Sequence, residues 1–127
     1  MTSKPIKIPG PDHPIDIRSS PSRVVVSVGG RNIADTREAL TLQESSYPAV
    51  HYIPRKDVDM SLAVRTDHST YCPYKGDCAY YSIPSGGERS MNAMWSYEHP
   101  NAAVVMIKDY IAFYPDRVDA IEERVAD

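Results

Sequence analysis

Apolar and polar positions along this chain alternate over short stretches, and Gly and Pro interrupt them at close intervals. Ile15-Asp16-Ile17-Arg18 alternates as a half-buried strand does. Arg23-Val24-Val25-Val26-Ser27-Val28 is β-branched, Gly29-Gly30 suits a primed two-residue turn, and Arg31 to Thr36 returns, which predicts a β-hairpin. Ala39 to Glu44 reads as a strand because it is short and sets Thr41 between two leucines. Further strands are predicted at Val50-Ile53 between Pro48 and Pro54, at Ser61-Arg65, at Cys78-Ile83, at Met94-Glu98 and at Asp109-Tyr114. Asp57-Met60 reads as a turn and Pro84-Ser90 as a flexible loop. Val118, Ile121 and Val125 would share one face of a short C-terminal helix. Many short strands with this punctuation predict a mainly β, antiparallel, two-sheet sandwich-like domain at 13–127, preceded by an extended, Pro-rich arm at 1–12.

Composition narrows the classes of function. With 14 basic and 17 acidic side chains and no long run of either sign, the chain lacks the basic footprint of a nucleic-acid binder. Its longest apolar runs, such as Ala102 to Ile107, are too short to cross a bilayer, so no membrane partner is expected. The N-terminal stretch with Lys4, Pro5, Lys7 and Pro9 lacks the apolar core of a signal peptide, which predicts a cytoplasmic protein with reduced Cys72 and Cys78. A monomer or weak dimer is expected. Nine tyrosines against one Phe and one Trp are unusual, because each buried phenol needs a hydrogen-bond partner. Such a set suits either strand tyrosines at a sheet surface or a polar, aromatic-lined cleft.

Candidate chemistry concentrates in Tyr71-Cys72-Pro73-Tyr74-Lys75-Gly76-Asp77-Cys78-Ala79-Tyr80-Tyr81. Pro73 fixes φ and Gly76 permits a backbone geometry closed to other residues, so Tyr74 and Lys75 are displayed from a tight connection. Lys75 can contact an anion, make a cation–π contact or serve as a base or amine nucleophile; the plainer alternative is a solvated turn lysine. Cys72 is a candidate nucleophile if Lys75 or His68 stabilises its thiolate, with Cys78 as resolving thiol, and both are otherwise small packing residues. Glu44 and Arg55 are candidate polar anchors. Trp95 and Tyr97, at alternate strand positions, can wall a cleft together with Tyr52 and Tyr74.

Metal and phosphate chemistry find less support. Five residues separate Cys72 from Cys78, there is no other cysteine, and the histidines show no ligand spacing, so no metal or other cofactor is expected, although a Cys72/Cys78/His68 set stays open. Asp57 and Asp59 could pair for Mg²⁺, but they fall in a turn without a glycine-rich phosphate loop.

The segments Glu44…Tyr47-Pro48…Tyr52-Ile53-Pro54-Arg55-Lys56-Asp57-Val58, Thr70-Tyr71-Cys72-Pro73-Tyr74-Lys75-Gly76, Trp95-Ser96-Tyr97-Glu98 and Ile111 to Val118 together resemble the domain of unknown function family 427, which also carries a nucleotidyltransferase-like label. The resemblance runs from about Arg23 onward. It implies a β-tent type fold, akin to methionine-R-sulfoxide reductases and the thalidomide-binding domain of cereblon, and implies no established activity. Two readings stand beside each other: a small-molecule-binding β domain with Glu44, Tyr52, Arg55, Tyr74, Lys75, Trp95 and Tyr97 around an aromatic cleft, or an enzyme using Cys72 or Lys75 there. An interaction domain without a pocket is the third.

Overall fold

The structure, a computed structural model, describes residues 4–125. The first three residues of the expected arm and the last two of the expected β domain lie outside the described residues. Ten strands follow in order: β1 (Ile15–Ser19), β2 (Ser22–Val28), β3 (Arg31–Thr36), β4 (Leu40–Glu44), β5 (Val50–Tyr52), β6 (Val64–Cys72), β7 (Gly76–Ser82), β8 (Met94–Pro100), β9 (Ala112–Phe113) and β10 (Ala120–Val125). They form three open antiparallel sheets, ordered β1-β4-β5, β10-β2-β3 and β6-β7-β8-β9. The mainly β, antiparallel expectation holds, with three hydrogen-bonded sheets rather than two. Ser20-Pro21 ends β1 and lets β2 join a different sheet, which divides the first half of the chain between two layers.

The predicted hairpin forms as β2 and β3. Gly29 and Gly30 carry φ of 59° and 78°, the doubly positive pattern of a primed turn. A Cβ at Gly29 would also meet the Ser85 carbonyl oxygen at 2.5 Å, so this position admits no side chain.

The C-terminal helix expected from Val118, Ile121 and Val125 does not form. Residues Ala120–Val125 are strand β10, paired with β2 from Ala120 opposite Ser27 to Val125 opposite Ser22. A lone helix of about eight residues is marginal in water. Strand β2, with Val24, Val25 and Val26 at most 2% exposed, instead offers buried backbone donors and acceptors on its second edge. Those groups need a partner, and β10 supplies it. Val125 is left 92% exposed, so it has no part in an apolar face.

Three other expectations shift in extent. Strand β6 runs well past Arg65, with irregular pairing between Arg65 and Ser69. The last predicted strand shrinks to Ala112 and Phe113, since Asp109 takes a φ of 65° that ends regular strand geometry. Pro84–Ser90, expected as a flexible loop, forms mostly exposed 3-10 turns anchored by a fully buried Ser90.

Two apolar clusters hold the sheets together. The first joins the β2-β3 sheet (Val24, Val26, Val28, Ile33) to Met94, Ile111 and Phe113. The second lies between β4-β5 and the β7-β8 face, with Leu40, Leu42, Tyr52, Cys78, Tyr80 and Tyr97, and is closed by Val104 and Ile107. Three of the nine tyrosines therefore belong to one core, and the residues of β7 and β8 alternate between its two sides.

Candidate functional site

The Cys72-to-Gly76 turn is braced on both flanks. The Lys75 amide donates to the Cys72 carbonyl at 3.2 Å, closing the turn, and Gly76 takes the φ of 109° that L side chains avoid. Asn101 Nδ2 donates to the Pro73 carbonyl at 2.8 Å, and the Asn101 amide to the Lys75 carbonyl at 2.9 Å. From the other side, the described part of the N-terminal arm reaches the same Pro73 carbonyl through the Lys7 amide at 3.0 Å. The Tyr71 hydroxyl donates to the Pro5 carbonyl, and Lys4 pairs with Asp77.

The polar groups of this turn are engaged with one another. Lys75 Nζ donates to Glu44 Oε1 at 2.5 Å, and both side chains are only 13% exposed. His13 Nε2 bonds Glu44 Oε2 at 2.7 Å, and the His13 ring stacks on Tyr74 with centroids 4.0 Å apart and planes at 10°. Lys75 Nζ also lies 5.7 Å from the centre of the Tyr97 ring. Burial pushes the Glu44 carboxyl up, but hydrogen bonds from Lys75 and His13 outweigh it and leave its pKa below the ordinary value. The cluster is a part-buried ion pair, bridged to His13, with aromatic walls.

The thiols sit on the inner face of the same hairpin. Thr70 lies opposite Cys78 and Cys72 opposite Gly76, so the two cysteines are diagonal neighbours on one face. Both are unbridged. Burial raises the Cys78 pKa, which works against a thiolate there. His68, the expected third partner, packs its ring against Tyr80 at 4.5 Å. Among the described residues, no three His, Cys, Asp or Glu side chains come together as metal ligands.

Arg55 belongs to a different cluster, on the opposite face of β8. Its guanidinium donates to the Asp109 carbonyl (3.0 Å), the Tyr81 hydroxyl (3.1 Å), Ser96 Oγ (3.1 Å) and Glu98 Oε2 (3.1 Å). Arg65 adds a 2.7 Å bond to Glu98 Oε1, and the Tyr81 hydroxyl donates to Oε2 at 2.7 Å. Burial alone would raise the Glu98 carboxyl, yet the Tyr81 and Arg65 bonds hold it below its ordinary value. Asp57 and Asp59 are likewise engaged in local structure. Asp57 accepts from Thr36 Oγ1 at 2.7 Å, and Asp59 caps the Met60–Leu62 turn through the Ser61 amide at 3.1 Å.

The open space lies elsewhere. Three sheet edges, β5, β9 and β10, converge on a cleft of about 540 Å³. Trp95 and Tyr114 line it, their rings 4.5 Å apart and tilted by 46°, with Val26, Val50, Phe113 and Ile121 among the apolar walls. Tyr47 to Ala49, the exposed approach to β5, form the mouth. The indole is fixed from behind, because Nε1 donates to the Tyr52 hydroxyl at 3.2 Å while the two rings meet edge-on at 89°. One polar bridge crosses the cleft: His51 Nε2, on β5, lies 2.8 Å from Glu123 Oε1, on β10. Thr41 Oγ1 lies 3.2 Å from Nδ1, so a neutral ring accepts from Thr41 and donates to Glu123.

Of the residues singled out from sequence, Glu44, Tyr74 and Lys75 come together, with His13 as their unforeseen fourth member. Tyr52 and Tyr97 are buried in the adjoining core, and burial pushes both phenol pKa values well up. Arg55 stands apart with Glu98. Trp95 alone lines the cleft, while Lys75 and Cys72 do not. His51 and Glu123 carried no motif, and Tyr114 stood only within the Ile111 to Val118 segment of the family resemblance. Their grouping depends on how the three sheets meet, and only the alternation of β10 could have hinted that Ile121 and Glu123 share a face.

The family model described as domain of unknown function (DUF427) matches residues 16–124, and the chain belongs to that family. No curated protein matches the chain. No helix among the described residues is long and apolar enough to cross a membrane.

Proposed function

We propose that this protein is a small-molecule-binding β domain whose ligand occupies the aromatic cleft beside Trp95. The observation that carries the reading is the cleft itself: about 540 Å³ of largely apolar space with a rigidly held indole and a single polar bridge. Binding sites for small molecules combine such apolar walls with a few placed polar groups. Trp95 is already oriented by Tyr52, so a ligand meets a wall that needs little ordering on binding. The Glu44–Lys75–His13 cluster serves in this reading as the brace that fixes the β6-β7 hairpin, and with it the sheet carrying Trp95.

The enzyme alternative draws no comparable support. A lysine held by Glu44 is poorly prepared as a base or nucleophile, the buried Cys78 is a poor resolving thiol for Cys72, and neither Cys72 nor Lys75 lines the cleft. The test uses the fact that Trp95 is the chain's one tryptophan, so its fluorescence reports on the cleft directly. A fragment screen should yield ligands that shift Trp95 emission and raise the melting temperature together. Ala49→Phe, which narrows the mouth, should weaken those ligands at least tenfold while the unliganded protein melts as before. Stabilising ligands that leave Trp95 emission unchanged, or that ignore Ala49→Phe, would place binding elsewhere.

A further inference from the structure

The charge pattern of the cleft goes one step beyond its shape. Resting on the small-molecule reading above, we infer that the cleft selects an organic cation: a ring or branched alkyl body in the apolar space, with an ammonium group beside Glu123. Among the described residues no Lys or Arg lines the cleft. Its titratable wall groups among the described residues are the Tyr47 and Tyr114 phenols, the His51 ring and the Glu123 carboxylate, and Glu123 is the one acidic side chain of the set.

Strand alternation makes that charge available. Ile121 and Glu123 both line the cleft, whereas Glu122 and Arg124 bond each other at 2.7 Å and neither lines it. The neighbouring basic residue therefore does not neutralise Glu123. His51 engages Oε1 of this carboxylate, but the Glu123 side chain is 57% exposed and can accept from a ligand as well. Aromatic faces add to the preference, because an indole or phenol ring attracts a cation through its quadrupole. One guanidinium is near: Arg117 lies 4.5 Å from the Tyr114 ring centre. It does not line the cleft, and its Nη1 donates to the Asn92 carbonyl at 3.1 Å, which holds it there. An anionic ligand would meet a carboxylate with no cation to answer it, so the same wall disfavours phosphates and carboxylic acids.

Three probes of matched size separate the possibilities: phenethylammonium, 2-phenylethanol and phenylacetate, titrated against Trp95 fluorescence at low salt. The cation should bind roughly 5-fold more tightly than the alcohol, as expected for one part-exposed ion pair with a cation–π contribution, and phenylacetate more weakly than either. Glu123→Gln, at a part-exposed strand position, should bring phenethylammonium down to the affinity of the alcohol while leaving the alcohol unchanged. Equal binding of all three probes, or a cation preference that survives Glu123→Gln, overturns the charge inference and leaves the cleft reading standing. Binding of none of them up to their solubility limits overturns both.

Discussion

The turn at Cys72–Gly76 and the cleft at Trp95 are opposites in how they treat polar groups. Around the turn, an amine, a carboxylate, an imidazole and a phenol are close together and already paired: Lys75 with Glu44, Glu44 with His13, His13 with Tyr74. Around the cleft, polar groups are few, and one of them, Glu123, faces both a partner and solvent. Dense reactive chemistry in a sequence thus need not mark the place where a ligand binds. A cluster whose charged groups already bond one another rigidifies the fold, and a sparse apolar surface with a part-exposed carboxylate has more to gain from a partner.

Removing one member of the turn cluster should have the largest effect on stability. Lys75→Met leaves Glu44 buried with His13 as its remaining partner and should cost about 3 kcal/mol in urea unfolding. A double Lys75→Met, Glu44→Leu variant should recover most of that loss, because it removes the stranded charge. If Lys75→Met proves neutral, the cluster is not the brace described above.

Next in size is the link between the two regions. Tyr52→Phe removes the acceptor for Trp95 Nε1–H and should cost about 1–2 kcal/mol, with a change in Trp95 emission even without ligand. Unchanged emission would mean that the indole is positioned by packing alone.

Acid should act on the carboxylates whose native pKa lies below the ordinary value, among them the part-buried Glu44 and Glu98. A depressed native pKa contributes stability that is fully present above the unfolded value of about 4.3 and is lost as pH falls through it toward the native one. Unfolding free energy should therefore be flat between about pH 6 and 8 from these groups, and should fall steeply below about pH 5. In Glu44→Gln the acid-side slope should be shallower. A slope identical to that of the parent would remove Glu44 from the account.

The thiols give the smallest and most local effect. Cys78, 2% exposed and with its pKa raised by burial, should stay unmodified by an aromatic disulfide reagent until the protein unfolds, and the half-buried Cys72 should react first. Fast modification of Cys78 in the native protein would reopen the thiol chemistry that the sequence suggests.

What was legible in the sequence depended on range. The β2-β3 hairpin was readable because its two glycines and its β-branched run are local signals. The compactness of the Cys72–Gly76 turn was readable for the same reason. Strand β10 was not, since its conformation is imposed by the unpaired edge of β2, about a hundred residues earlier. The cleft was illegible in the same way. Val50, Trp95, Tyr114 and Glu123 acquire a common surface only when three sheet edges meet, and no spacing within the chain records that meeting. Nor does a sequence reveal that Lys75 will pair with Glu44.

Chemical-shift mapping of any stabilising ligand on uniformly labelled protein distinguishes the two regions most directly. The account predicts that the Trp95 indole N–H and the amides of Val50, His51, Tyr114 and Glu123 move together, while Lys75, Tyr74 and Cys72 stay in place. Shifts concentrated on Tyr74 and Lys75, with Trp95 unmoved, would contradict it and return the site to the turn.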